Sequence, residues 1–184
     1  MIKAVKGGQD MDEKKIYDLV ILGGGPAGTT AALYGVRAGL SVVVIENKAL
    51  GGEIVSTDRL DNFPAFPDGI TGFEFGMLLE KQMENLQIPI HYTQIEKVEL
   101  TGKIRVITTS TGVFEGKTVL VATGTEPNLL GVDGELELRG RGVSYCATCD
   151  AAFFRDKEIA VVGGGNAALE EAIFLDRFAS KIYL

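Results

Sequence analysis

The chain has 184 residues, 46% of them apolar, with 25 acidic against 18 basic side chains and a net charge of −7. That length and apolar fraction can build one large domain, or one domain and part of a second. A pI near 4.8 argues against the clustered basic surface that attracts nucleic acid or anionic lipid, so neither nucleic acid nor membrane is an expected partner.

The opening, "MIKAVKGGQDMDEKK", is polar and lacks the apolar run and small-residue cleavage site of a signal peptide; residues 1–14 therefore read as the leader of a cytoplasmic protein. Residues 17–22, "YDLVIL", form a short apolar run that suits a strand buried on both faces of a parallel sheet. "GGGPAG" follows at once, so that Gly23, Gly25 and Gly28, with Pro26 and Ala27 between them, satisfy G-x-G-x-x-G. The next residues, "TTAALYGVRAG", predict a helix ending near Gly39, and "SVVVI" a second buried strand that closes with Glu46. In this pattern the first glycine makes the strand-to-helix turn, the second lets a pyrophosphate approach the backbone and the third lets the helix pack close to the strand. Glu46, 18 residues past Gly28, stands where an acid accepts hydrogen bonds from a ribose diol. The apolar stretch "AALYGVRAGLSVVVI" is interrupted by Arg37 and Ser41 and falls short of the roughly 20 residues that cross a bilayer.

"ALGGEIVSTDRLDNFPAFPDG", residues 49–69, is a Gly-, Asp- and Pro-rich loop expected at the surface or over a ligand. "TGFEFGMLLEKQMENLQ" predicts a helix that packs Phe73, Met77 and Leu78 or Leu79 into the core. His91 falls in "IPIHYTQIEKVEL", which alternates like an exposed strand and makes it an ordinary surface histidine. Residues 97–124 predict three strands, with turns at Thr101-Gly102 and Thr111-Gly112, ending in Ala122, Thr123 and Gly124, a small-residue turn able to pass beneath a nucleotide. "TEPNLLG" reads as a hinge. These elements give a first domain at residues 15–126 and the start of a second at 127–184.

The second part opens on both cysteines of the chain, Cys146 and Cys149 in "SYCATCDAAFF", followed by Asp150. A Cys-x-x-Cys pair serves as a staple, as half of a metal site or as a redox couple. Two cysteines without an export signal argue against a disulfide framework, and a lone distant histidine argues against zinc, which takes four ligands in structural sites. No metal is expected. Strand, glycine turn and helix then return in "EIAVVGGGNAALEEAIFLDRFASKIYL", with Gly163, Gly165 and Ala168 in the three glycine positions and Asn166 after the second. The chain is thus α/β, with two dinucleotide-binding folds. The spacing from Gly28 to Glu46, applied after Ala168, falls just past Leu184, so the second fold reads as incomplete.

Taken together, "GGGPAG", "VVVIE", "GGE", "DNFP", "VATG", "GRGVSYCATCD" and "GGGNAALEEA" resemble the low-molecular-weight thioredoxin reductases, two-domain flavoprotein disulfide reductases, from Tyr17 to the end. The resemblance implies two Rossmann-like folds of the three-layer FAD/NAD(P)-binding type. It implies FAD on the first fold at Gly23, Gly25, Gly28 and Glu46, with Gly51, Gly52, Glu53 and Asn62 approaching the flavin. NADPH would lie on the second fold at Gly163, Gly165, Asn166 and Ala168, with NADH left open. Cys146 and Cys149 would form a redox-active disulfide reduced through the flavin, Cys149 facing the ring, Cys146 attacking the disulfide of thioredoxin and Asp150 moving the proton. A homodimer is the family's usual assembly. The alternatives are a relative drawing electrons from ferredoxin, against which the intact "GGGNAA" counts, and a flavin-binding remnant without activity. Two residues depart from the family pattern. Glu53 replaces the usual glutamine and would make flavin reduction harder; Ala151 replaces a glycine, harmlessly in a helix but with strain at positive φ. The family also closes the FAD fold with a later segment, so the sequence predicts that these 184 residues alone bind FAD weakly and do not turn over.

Overall fold

The computed structural model describes residues 15–184, and the expected leader lies outside the described residues. Its first half is organised by a central strand, β1 (Ile16–Leu22), which feeds helix α1 (Pro26–Arg37) and returns as β2 (Val42–Glu46). β1 and β2 pair in parallel, Leu19 opposite Val42 and Leu22 opposite Ile45. Every residue of β2 is buried. Its side chains alternate: Val42 and Val44 join Ile21, Ala32, Leu50, Met83 and Ile88 on one side of the sheet, whereas Val43 and Ile45 join Tyr17, Val20, Leu22 and Ile107 on the other. A strand with a core on both faces must be apolar throughout, which accounts for the unbroken "VVVI". Burying each such side chain is worth about 1.5–3 kcal/mol.

Helix α2 (Gly72–Asn85) follows, opened by a capping box in which Thr71 Oγ1 accepts from the Glu74 amide and the Glu74 carboxylate accepts from the Thr71 amide. Next come β3 (Ile90–Tyr92), β4 (Ile95–Glu99), β5 (Arg105–Thr109) and β6 (Gly112–Val121). The six strands form one sheet in the order β3-β2-β1-β6-β5-β4; β3, β2, β1 and β6 run parallel, while β6, β5 and β4 form an antiparallel meander. Ile107 and Phe114 of the meander belong to the core that contains no α1 residue, opposite the one that Ala32 of α1 joins.

Two expectations are corrected here. Phe73, Met77 and Leu78 of α2 are 65%, 55% and 48% exposed, Leu79 is half-buried, and the residues the helix buries fully are Phe75 and Met83 with two glycines. Gly72 and Gly76 are buried on that same side, and at Gly76 the backbone comes close to the Leu50 carbonyl. His91 is half-buried rather than on the surface, its ring meeting Phe114 edge-on at 4.7 Å, and burial pushes its imidazole below its ordinary pKa.

These elements, from the first described residues to Val55 and from Thr71 to Thr125, make one compact unit; Ser56–Ile70 and Glu126–Leu184 make another. In the second, helix α3 (Ala147–Asp150) runs into a single 3₁₀ turn (Ala151–Phe154), followed by β7 (Glu158–Ala160), α4 (Asn166–Leu175) and β8 (Lys181–Tyr183). β7 and β8 pair in parallel. Ala147, Ala151 and Leu175 form a small core against Ile159, Phe174 and Phe178. Segment 56–70 is closed by a Leu60–Ile70 bridge, and Asp58 accepts from Arg141 at 3.3 Å. Among the described residues no helix is long and apolar enough to cross a membrane.

Candidate functional site

In the first unit the parallel strands β1, β2 and β6 end at one edge, and most of the predicted residues gather there. Gly23 has φ +105°, a conformation that a side chain would resist, and its amide donates to the Ile45 carbonyl at 2.8 Å. A methyl at Gly28 would lie 1.9 Å from the Gly23 carbonyl oxygen, so the helix packs this closely only because the position is glycine. Gly25 differs. A methyl there would find only Gly52 Cα, at 3.9 Å, so this glycine keeps a space clear instead of permitting a contact. It is also the N-cap of α1 and supplies no side chain to the first-turn amides, while Pro26 stands at the first helical positions. Unpaired amides above a cleared backbone, at the positive end of a helix, are what a pyrophosphate requires.

Glu46 ends β2 with its side chain buried, 8% exposed. One carboxylate oxygen accepts from the Gly24 amide at 2.6 Å, and the other from the Asn47 and Lys48 amides, both at 2.8 Å. The Gly24 carbonyl in turn accepts from Gly51 at 2.9 Å, so the two successive peptides that meet at Gly24 are each held by one bond. Each carboxylate oxygen carries two lone pairs, which leaves acceptor capacity for a ribose hydroxyl. Gly51 and Gly52 lead into the 3₁₀ turn Gly52–Ser56, on which Glu53 is exposed. Ala122, whose amide donates to Leu22 at 2.8 Å, lays its carbonyl against Gly23, and Thr123 and Gly124 follow it. Asn62 is exposed in segment 56–70 and belongs to the other unit.

The second unit holds the second glycine turn. Gly163 has φ +144°, Gly165 caps α4, Asn166 opens the helix, and methyls at Gly164 or Gly165 would meet nothing within 4 Å. A side chain at Gly163 would begin 3.0 Å from the Ala168 methyl, so glycine at 163 leaves room for the alanine in the third position.

Cys146 and Cys149 form a disulfide, with Cα atoms 5.3 Å apart. Cys146 is the N-cap of α3, and its carbonyl accepts from the Cys149 and Asp150 amides, both at 3.2 Å. Cys146 and Asp150 are half-buried and Cys149 is exposed. Ala151 sits at φ −51°, ψ −36°, a helical conformation, and is 3% exposed, so alanine there is unstrained and fills the small core.

A polar frame that no sequence motif announces surrounds this bridge. Ser144 Oγ donates to Asp150 Oδ2 at 2.6 Å and accepts from the Cys146 amide at 3.1 Å. Glu135, only 4% exposed, accepts from the amides of Leu130 at 2.9 Å and Gly131 at 2.7 Å and from the Tyr145 hydroxyl at 2.8 Å. The Leu130 amide leads the causes that hold Glu135 below the usual carboxylate range, and desolvation pushes Tyr145 up. Arg139 lies over the Tyr145 ring at 5.3 Å. Such links between distant loop residues leave no periodic trace in a sequence.

Residues 17–184 match the family model described as pyridine nucleotide-disulphide oxidoreductase. The thioredoxin reductase of Peptoclostridium litorale is 45% identical over 169 residues, covering 92% of this chain and 54% of that protein. That of Bacillus subtilis is 43% identical over 172 residues, 94% of this chain and 54% of that protein. Among solved structures, the thioredoxin reductase from Streptococcus pyogenes superposes with a TM-score of 0.86 at 45% identity, over 92% of this chain and 55% of that one. The chain thus spans about half the length of the relatives it matches.

Proposed function

Because this chain belongs to the pyridine nucleotide-disulphide oxidoreductase family, we propose that it acts in a thioredoxin-disulfide reductase, passing reducing equivalents from NADPH by way of FAD to Cys146–Cys149 and on to thioredoxin. The observation that carries the reading is the closed Cys146–Cys149 bridge on an accessible four-residue helix, with the Asp150 carboxylate next in the chain. Support for the cofactors comes from the two glycine turns, whose cleared backbone at Gly25 and at Gly164–Gly165 suits a dinucleotide pyrophosphate. When bound, FAD supplies a two-electron carrier between a nicotinamide and a disulfide.

The chain's own residues then divide the work. First-turn amides of α1 donate to the FAD pyrophosphate and Glu46 accepts from its ribose; the α4 N-terminus, with Gly163, Gly165, Asn166 and Ala168, serves the nicotinamide dinucleotide in the same way. In the reduced pair, the Cys146 thiolate attacks one sulfur of the thioredoxin disulfide, forming a mixed disulfide and expelling the other sulfur as a thiolate. The Cys149 thiolate then attacks Cys146, which releases thioredoxin as a dithiol and restores the bridge. Asp150 takes the proton that Cys149 loses and returns it to one thioredoxin sulfur; the other sulfur takes its proton from water, which balances the proton Cys146 gave up on ionising. The same proposal includes a cytoplasmic location and a homodimer.

Trapping the mixed disulfide tests this reading. Cys149→Ser leaves Cys146 as attacking sulfur without its resolving partner, so it should accumulate a covalent adduct with a thioredoxin that lacks its own resolving cysteine. Cys146→Ser should accumulate none. Equal trapping by both variants, or by neither, removes the assigned roles.

A further inference from the structure

Ser144 was not among the expected site residues, yet its hydroxyl joins the two groups that the proposed exchange uses. Oγ lies 2.6 Å from Asp150 Oδ2, 3.1 Å from the Cys146 amide and 3.3 Å from the Cys146 carbonyl. A serine hydroxyl has one proton to donate and two lone pairs to accept with. With Asp150 ionised, the proton points to Oδ2, the shorter contact, and one lone pair takes the Cys146 amide. When the proton is taken up on Oδ2 itself, the acid becomes the donor in that contact. The serine then accepts twice, from Asp150 and from the Cys146 amide, and its own proton turns to the Cys146 carbonyl. Every donor and acceptor of the hydroxyl is satisfied in that state, with no heavy atom displaced.

We propose that Ser144 is a positioning residue for Asp150, holding the carboxyl group beside the Cys146 backbone in both protonation states by reversing the direction of one hydrogen bond. The inference rests on the proposed role of Cys146, Cys149 and Asp150 in disulfide exchange. Neighbouring polar groups are engaged elsewhere: Glu135 and Tyr145 bond each other at 2.8 Å, Arg139 lies over the Tyr145 ring, and Thr148 Oγ1 is 3.5 Å from Cys146 Sγ. A proton taken up at Asp150 is thereby met by a partner that can accept it, and the loop carrying Cys146 is not released.

The test needs only this chain, reduced with a mild dithiol, and a small aromatic disulfide as the exchange probe, with the rate followed from pH 5 to 9. Ser144→Ala should lower the rate at neutral pH by about tenfold, the usual effect of losing one hydrogen bond to a charged group, and should change the shape of the pH profile. Ser144→Thr keeps the hydroxyl and should restore both. If Ser144 acts through Asp150, adding Ser144→Ala to Asp150→Asn should leave the Asp150→Asn profile unchanged in shape. A Ser144→Ala profile that is merely scaled at every pH, or that Thr fails to rescue, overturns the inference while leaving the exchange reading standing. A wild-type pair that cannot be reduced at all overturns both, and the wild-type control alone identifies that case.

Discussion

Replacing Glu46 should unfold more than a ligand site. Because its carboxylate accepts from three backbone amides, Glu46→Ala leaves the amides of Gly24, Asn47 and Lys48 without their partner. A buried donor stripped of its acceptor costs about 1–3 kcal/mol. The Gly24 bond is buried and carries the upper end of that range, whereas the other two are part-buried and their amides regain water, so the sum comes to about 3 kcal/mol. With a urea slope of about 2 kcal/mol per molar, that moves the unfolding midpoint down by about 1.5 M. Glu46→Gln keeps an oxygen for one side only and should fall about halfway. Urea unfolding followed by circular dichroism, with no cofactor added, makes the measurement. A midpoint within about 0.3 M of wild type, on the same slope, would refute the reasoning and return Glu46 to a role in ligand binding alone.

The two helix-start glycines should separate cleanly. Gly28→Ala drives a methyl to 1.9 Å from a backbone carbonyl and should cost about 3 kcal/mol in the same urea experiment, whereas Gly25→Ala meets only Gly52 Cα at 3.9 Å and should leave the midpoint unchanged while abolishing any gain in stability from added FAD. Acid stability should depend on Asp18, which Lys117 and Ser41 hold well below the usual carboxylate range. As pH falls below the unfolded value of about 3.9, the unfolded chain binds more protons than the native one and stability drops. Asp18→Asn should therefore melt below wild type at pH 7, with the gap starting to close as pH falls through about 3.9 and closing fully only as it passes the lowered native value.

The first dinucleotide fold was legible because buried parallel strands and glycine turns constrain sequence locally: "YDLVIL", "GGGPAG" and "VVVIE" each have one stable interpretation. The buried face of α2 was not, since apolar residues occupy two stripes of that helix, Phe73 with Met77 and Phe75 with Met83, and periodicity fits both. The deciding signal lay in the glycines. A methyl at Gly76 would come within 3.0 Å of the Leu50 carbonyl, so Gly76, with Gly72 buried one turn before it, marks the side that packs. The Cys-x-x-Cys-Asp itself was visible as three residues, but the Ser144 and Glu135 bonds that frame it depend on loop geometry that only the folded chain supplies.

Equilibrating the chain in glutathione buffers of graded potential and counting free thiols at each tests the redox role of Cys146 and Cys149 most directly. A couple that exchanges with thioredoxin should give up its bridge near −270 mV, yielding two thiols together. A bridge that stays closed below about −300 mV would behave as a structural disulfide, and the electron path proposed for this chain would have no carrier.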